Sequence, residues 1–253
     1  MSTQTPNLTP NTSNPKPHTS NTKPRTSYLI PQTSYLTPHT SHLTPHTSHL
    51  MKIIAIGRNY AEHAHELNNP VPTVPVIFMK PETALLKDNK PFYHPGFSAD
   101  IHHEIEIVLK ISKEGKHVPE KFAQNYYDEI GLGIDFTARD IQKEHKEKGL
   151  PWELAKAFDH SAPVSTFVNK DSFENLYNLN FHLDVNGQTK QSGNTNQLLF
   201  SFEYIISFVS KYITFKKGDL IFTGTPAGVG KVLVGDHLAG YLEDTKLLDF
   251  HIR

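Results

Sequence analysis

The stretch Ile101-His102-His103-Glu104-Ile105-Glu106-Ile107-Val108-Leu109 alternates in the manner of a β-strand. Side chains on a strand point to opposite faces in turn, so Glu104 and Glu106 share one face, roughly 6.5–7 Å apart along the strand. Ile105 and Ile107 point the other way, toward a core. Taken alone, Glu-x-Glu more often marks the wet face of a strand. A third carboxylate changes that reading. Asp135 sits inside Ile130-Gly131-Leu132-Gly133-Ile134-Asp135-Phe136, an apolar run in which an unpaired carboxylate is costly to bury. Three carboxylates with no thiolate or evident imidazole beside them suit a hard, oxygen-seeking cation such as Mg2+ or Mn2+. Three protein oxygens in an octahedron leave three positions for water and a chelating substrate, the open geometry that Lewis-acid catalysis requires.

Outward from this segment, short apolar runs bounded by turn residues predict further strands. They cover Ile53–Ile56, Val76–Met79, Ile105–Ile111, Ile130–Phe136, Leu179–Val185 and Leu220–Thr223. Asn186-Gly187, directly after Asp184-Val185, signals a hairpin turn. Helices are expected from Tyr60 to about Leu67, over Pro119–Tyr127, over Ala138–Lys148 and over Gln197–Tyr212. The last carries a buried stripe of Leu198, Leu199, Phe202, Ile205, Ile206 and Val209. Strands and helices do not alternate regularly, which argues against a doubly wound parallel sheet. The expectation is an α+β, β-rich single domain of about 200 residues, the catalytic domain, over 51–253.

The first fifty residues differ in kind. They hold eight of the 18 prolines and no Asp or Glu, and residues 7–48 form six seven-residue units, from NLTPNTS to HLTPHTS. A proline in every unit excludes a continuous helix, and few apolar side chains are available to offset ordering entropy. Residues 1–50 are therefore expected to be a disordered repeat extension. Its only formal charges are Lys16, Lys23 and Arg25; without them 22 basic residues face 26 acidic ones, about −4. That mild acidity argues against nucleic acid or an anionic membrane as partner. The absence of cysteine excludes disulfides, thiolate metal sites and Cys nucleophiles. No apolar run approaches the roughly 18 residues of a bilayer span, and no secretory signal opens the chain. A cytoplasmic protein is expected.

Ordered motifs run through the rest. Gly57-Arg58-Asn59-Tyr60-Ala61-Glu62-His63 comes first, then His103-Glu104-Ile105-Glu106 and Asp135-Phe136-Thr137-Ala138-Arg139-Asp140. Lys146-Glu147-Lys148-Gly149-Leu150-Pro151-Trp152, Leu154-Ala155-Lys156 and Thr223-Gly224-Thr225-Pro226-Ala227-Gly228-Val229-Gly230 follow. In this order, from about Ile53 to Phe250, the sequence resembles the fumarylacetoacetate hydrolase family, in its small single-domain branch of acylpyruvate hydrolases and oxaloacetate decarboxylases. The resemblance implies a mixed β-roll, Mg2+ or Mn2+ held by Glu104, Glu106 and Asp135, a small 2-oxo acid substrate and a homodimer. It maps a lid-helix pair onto His63 and Glu66; positions i and i+3 share a helical face, so the carboxylate can orient the imidazole. Lys156 matches an active-site lysine that steadies a developing enolate, and Gln142 and Thr225 match contacts to the substrate carboxylate. Arg139 either pairs with that charge or braces Asp135.

The expected chemistry is hydrolysis of an acylpyruvate, with His63 activating water and Lys156 stabilising a pyruvate enolate. The alternatives are decarboxylation of oxaloacetate, isomerisation or decarboxylation of a dienoate, and an idle metal-binding protein. Nucleotide-binding signatures fail: in Gly224 to Lys231 a Thr stands at 225 where a phosphate-binding loop needs Gly, and Val232 follows the lysine.

Overall fold

The computed structural model describes residues 51–253; the repeat extension expected over residues 1–50 lies outside the described residues. The centre of the domain is a six-stranded mixed sheet. Its order is Val76–Lys80, Ile53–Gly57, Leu220–Phe222, Ile105–Ile111, Tyr127–Ile134 and Val168–Asn169. Only the Ile53–Gly57/Leu220–Phe222 pair is parallel. The inner strands are buried on both faces, which is why they read as near-continuous apolar runs. Ile54, Ile56, Ile105, Ile107 and Leu109 enter the larger core, while Ile53, Ala55, Val108 and Phe222 enter a smaller one behind the sheet.

A second, four-stranded antiparallel sheet packs into the larger core through Phe181, Leu183, Leu238, Leu248 and Phe250. The expected hairpin joins two of its strands, Asn180–Val185 and Gln188–Asn194, in antiparallel register. Asn186 and Gly187 both take positive φ, 54° and 74°, the backbone that a two-residue turn needs to match strand twist. Gly230–Lys231, Ile101–His103 and Thr137–Ala138 form a three-stranded sheet. This is the β-rich α+β fold expected. Among the described residues no helix is long and apolar enough to cross a membrane.

Several local expectations are corrected. The opening segment is two strands, Ile101–His103 in the three-stranded sheet and Ile105–Ile111 in the central one, broken at Glu104. The run over Ile130–Phe136 belongs to a strand that starts earlier, at Tyr127, and stops at Ile134, leaving Asp135 beyond its end. Pro119–Tyr127 is not an α-helix: Glu120–Tyr126 is a 3-10 helix and Tyr127 already pairs in the sheet. Its half-buried Tyr126 and buried Ala123 lie three apart, the spacing that aligns on a three-residue turn. The long helix begins at Phe202, where Ser201 Oγ accepts from the Tyr204 N–H at 3.2 Å. Leu198 and Leu199 precede it, so its buried stripe is Phe202, Ile205, Ile206 and Val209. A four-residue helix, Glu153–Lys156, was not expected.

Candidate active site and metal centre

Strand register brings the three acids together. Ile105 faces Ile134 across the central sheet, so the residues just past each, Glu104 and Asp135, become neighbours; the Asp135 N–H donates to the Glu104 carbonyl at 2.8 Å. Glu106 faces Gly133 in the same register. A Cβ at Gly133 would come within 2.4 Å of the Phe222 ring, so the strand stays in place there only with glycine. Glu104, Glu106 and Asp135 are all buried, and one oxygen of each lies within 4.8 Å of the others. The wet-face alternative for Glu-x-Glu does not hold.

Compensation of the three charges is uneven. Lys156 Nζ donates to Glu104 Oε2 at 2.9 Å and to Asp135 Oδ2 at 2.5 Å. Arg139 Nη2 reaches Glu104 Oε1 at 2.5 Å, and Thr137 Oγ1 donates to the same oxygen at 2.9 Å. Burial alone would raise the Glu104 carboxyl, but Lys156 and then Arg139 hold it well below the carboxylate range. Among the described residues Glu106 has no cation within ion-pair distance, and the Gly224 N–H donates to its Oε2 at 2.6 Å. Burial, then Asp135 and Glu104, push its carboxyl well above the ordinary value. An all-carboxylate donor set with one acid short of a positive partner fits a hard divalent cation.

Beside this centre, the helix Ala61–Glu66 presents His63 and Glu66 on one face, with His63 Nδ1 3.2 Å from Glu66 Oε2. The other Glu66 oxygen accepts from the Gly228 N–H at 3.0 Å. Gly228 has φ 96°, and a Cβ there would meet the Lys190 carbonyl at 2.3 Å, so the loop that holds Glu66 requires glycine. Burial lowers the His63 pKa, opposed by Glu104 and Glu66. The ring is thus neutral near pH 7, with Nδ1–H directed at Glu66 and the Nε2 lone pair available. His65, two positions further along the helix, is exposed.

The remaining expected residues line the same cavity. Gln142 Oε1 accepts from Arg139 Nη1 at 2.7 Å, which leaves its amide N–H groups for a ligand. Arg139 braces Glu104, not Asp135. Thr225 is buried, donates its hydroxyl proton to the Ile105 carbonyl at 2.8 Å and accepts from Gln191 Nε2 at 2.8 Å. Its hydroxyl must rotate before it can donate to a carboxylate. Lys156 stays charged: burial opposes this, but Asp135 and Glu104 hold its pKa above the usual lysine value.

Two residues of the site escaped the sequence. Lys80 Nζ lies 2.7 Å from Asp135 Oδ1 and donates to the Ser161 carbonyl and hydroxyl at 3.1 and 2.9 Å. A lysine closing the apolar run Val76-Ile77-Phe78-Met79 was the available signal. Gln191 joins His103, the Ile105 N–H, Thr225 and the Pro226 carbonyl. It lies in a polar strand, Gln188–Asn194, that carries no such mark.

Gathered in one β-rich domain beside a His–Glu pair, the three buried carboxylates could hold a divalent cation. The chain belongs to the fumarylacetoacetate hydrolase family: the family model described as Fumarylacetoacetate (FAA) hydrolase C-terminal matches residues 52–253. It is 42% identical over 201 residues to the Mus musculus protein named oxaloacetate tautomerase FAHD1, mitochondrial, covering 79% of this chain and 91% of that one. It is 44% identical over 185 residues to the Dictyostelium discoideum oxaloacetate decarboxylase, mitochondrial, covering 73% and 85%. Among solved structures, fumarylpyruvate hydrolase from Pseudomonas aeruginosa in complex with Mn2+ and pyruvate superposes with a TM-score of 0.76 at 32% identity, over 80% of this chain and 89% of that one.

Proposed function

We propose that this chain is a divalent-metal-dependent enzyme that cleaves a carbon–carbon bond in an acylpyruvate-type 2-oxo acid by way of a pyruvate enolate. The observation that carries the reading is the neutral, buried His63, oriented by Glu66, beside three buried carboxylates. Glu104, Glu106 and Asp135 would hold Mg2+ or Mn2+; the Pseudomonas relative, described in complex with Mn2+ and pyruvate, supports that assignment. When bound, the cation supplies Lewis-acid polarisation of the 2-oxo acid and compensates developing negative charge.

His63 Nε2 takes a proton from water, and the hydroxide oxygen attacks the distal carbonyl. The bond between that carbonyl carbon and C3 breaks, and its electron pair passes into the pyruvate enolate. Lys156, fixed as a cation, faces that charge. Protonation at C3 releases pyruvate, while the acyl group leaves as a carboxylic acid. Gln142 and Arg139 orient the substrate's C1 carboxylate, with Thr225 beside them. Assays of acetylpyruvate, fumarylpyruvate and oxaloacetate, each with Mg2+, Mn2+ or EDTA, test the reading. Metal-dependent hydrolysis of an acylpyruvate is expected; activity indifferent to EDTA would sink it.

A second reading has specific support. The mouse and Dictyostelium relatives are named for oxaloacetate tautomerisation and decarboxylation, and both reactions pass through an enol or enolate without an attacking water. Activity confined to oxaloacetate in the same panel selects that reading. Both names also carry the word mitochondrial, against the expected cytoplasmic location; detection of the chain in purified mitochondria or in cytosol decides between the two. A homodimer belongs to the same proposal, and light scattering at twice the chain mass tests it.

A further inference from the structure

One residue, Ile105, separates Glu104 from Glu106, so the spacing of the two carboxylates follows from how its peptide groups are held. Ile105 faces Ile134 across the central sheet. The Asp135 N–H bonds the neighbouring Glu104 carbonyl, which leaves the Ile105 N–H and carbonyl turned away from that strand. On the side they face, regular strand pairing ends at Phe222, opposite Val108. Two side chains take over from the ladder. The Ile105 N–H donates to Gln191 Oε1 at 3.0 Å, and the Ile105 carbonyl accepts from Thr225 Oγ1 at 2.8 Å.

Gln191 governs both of these bonds. It is buried, and both ends of its amide are fully engaged. Besides the Ile105 N–H, Oε1 meets His103 Nδ1 at 2.9 Å; Nε2 donates to Thr225 Oγ1 at 2.8 Å and to the Pro226 carbonyl at 3.0 Å. A backbone N–H can only donate, so the Ile105 bond fixes which end of the amide is oxygen. His103 must then carry its proton on Nδ1. Thr225, accepting from Nε2, aims its own proton at the Ile105 carbonyl. One amide thus holds the Ile105 N–H directly and the Ile105 carbonyl through Thr225. It reaches them from Gln188–Asn194, an edge strand of the four-stranded sheet, so a second sheet braces the strand that carries the carboxylates.

We propose that Gln191 is a positioning residue that fixes the spacing of Glu104 and Glu106 and so makes the carboxylate centre select a small octahedral cation such as Mg2+ over Ca2+. This rests on the metal assignment above. Glu104 is gripped through its side chain by Lys156, Arg139 and Thr137. Among the described residues Glu106 has one hydrogen-bond partner, the Gly224 N–H, so its placement rests on the backbone that Gln191 braces. Mg2+ demands near-ideal octahedral oxygens at about 2.0–2.1 Å, whereas the larger Ca2+ accepts longer and less regular arrangements. A carboxylate pair held to one spacing favours the first ion. A pair free to spread loses that advantage.

The test titrates Mg2+ and Ca2+ separately into the metal-free full chain, wild type and Gln191→Met, with calorimetry as the readout. Methionine is close to glutamine in length and fills irregular space well, but it carries no amide, so Ile105 loses its brace while the site stays filled. Mg2+ affinity should fall about 10- to 100-fold, and Ca2+ affinity by no more than about threefold. The ratio of the two affinities should therefore move toward Ca2+, which a general loosening of the fold does not produce. Thr225→Val removes only the carbonyl arm of the brace and should move the ratio the same way by less; it decides the matter if Gln191→Met does not fold. Equal losses for both cations in the variant that folds, or a lower melting temperature with an unchanged ratio, overturn the proposal. If wild type binds neither Mg2+ nor Mn2+, the metal assignment itself fails and this inference falls with it.

Discussion

Lys80 Nζ stands 2.7 Å from Asp135 Oδ1, and both side chains are shut off from solvent. Asp135 is thereby clamped between two lysines, Lys80 on one oxygen and Lys156 on the other. Breaking a buried ion pair from one side leaves an uncompensated charge, at a cost of about 3–5 kcal/mol. Lys80→Met should therefore destabilise the metal-free protein by about that amount in urea unfolding. Added Mn2+ should narrow the gap by supplying positive charge beside Asp135. A variant as stable as wild type without metal would refute this account of Asp135.

Glu106 sets a pH dependence with a definite sign. Its folded-state pKa is raised above the ordinary 4.5 by burial, Asp135 and Glu104. The group therefore favours folding below that ordinary value, and this contribution is lost as pH rises through the raised one. Glu104, depressed by Lys156 and Arg139 against burial, acts in the opposite sense, its contribution being present above 4.5. The gain in melting temperature from Mn2+ should thus be larger at about pH 8 than at about pH 5.5, where less of Glu106 is ionised. Glu106→Gln should abolish that difference and weaken Mn2+ binding. A Mn2+ gain in wild type that ignores pH contradicts the assignment.

His63→Ala should lower hydrolytic kcat by about 100- to 10,000-fold while sparing Mn2+ binding. In the proposed mechanism neutral imidazole is the active form, and burial lowers its pKa from 6.5. Activity should consequently persist to a lower pH than an ordinary histidine allows, then fall as the ring is protonated. Glu66 raises that pKa, so Glu66→Gln should move the acid limb of kcat/KM further down. An acid limb unmoved by Glu66→Gln would remove Glu66 from the pair.

Gly224 joins backbone strain to the carboxylate centre. Its φ is 107°, a Cβ there would approach Asn59 Cβ at 2.6 Å, and its N–H serves Glu106. Gly224→Ala should cost about 1–3 kcal/mol of stability and reduce Mn2+ affinity together with it. Differential scanning calorimetry and a Mn2+ titration check the two effects. Full stability in this variant would mean the loop relaxes without cost.

Local pattern made much of this protein legible. Period-two alternation placed Glu104 and Glu106 on one side and Ile105 and Ile107 on the other, and that assignment survived the break between their two strands. Motif resemblance pointed to His63 and Glu66, and their i, i+3 spacing set the contact between them; Asn186-Gly187 set a hairpin, because backbone geometry alone decides such local contacts. Motif resemblance, not periodicity, singled out Lys156, Gln142 and Thr225. Tertiary structure decided the rest. Lys80 meets Asp135, Gln191 bridges His103 to Thr225, and Arg139 turns to Glu104, through registers between segments far apart in the chain. The sequence by itself determines which way a side chain faces, since that follows from its own few neighbours. Which partner it then finds depends on how the sheets pack, and that packing balances apolar burial over the whole domain.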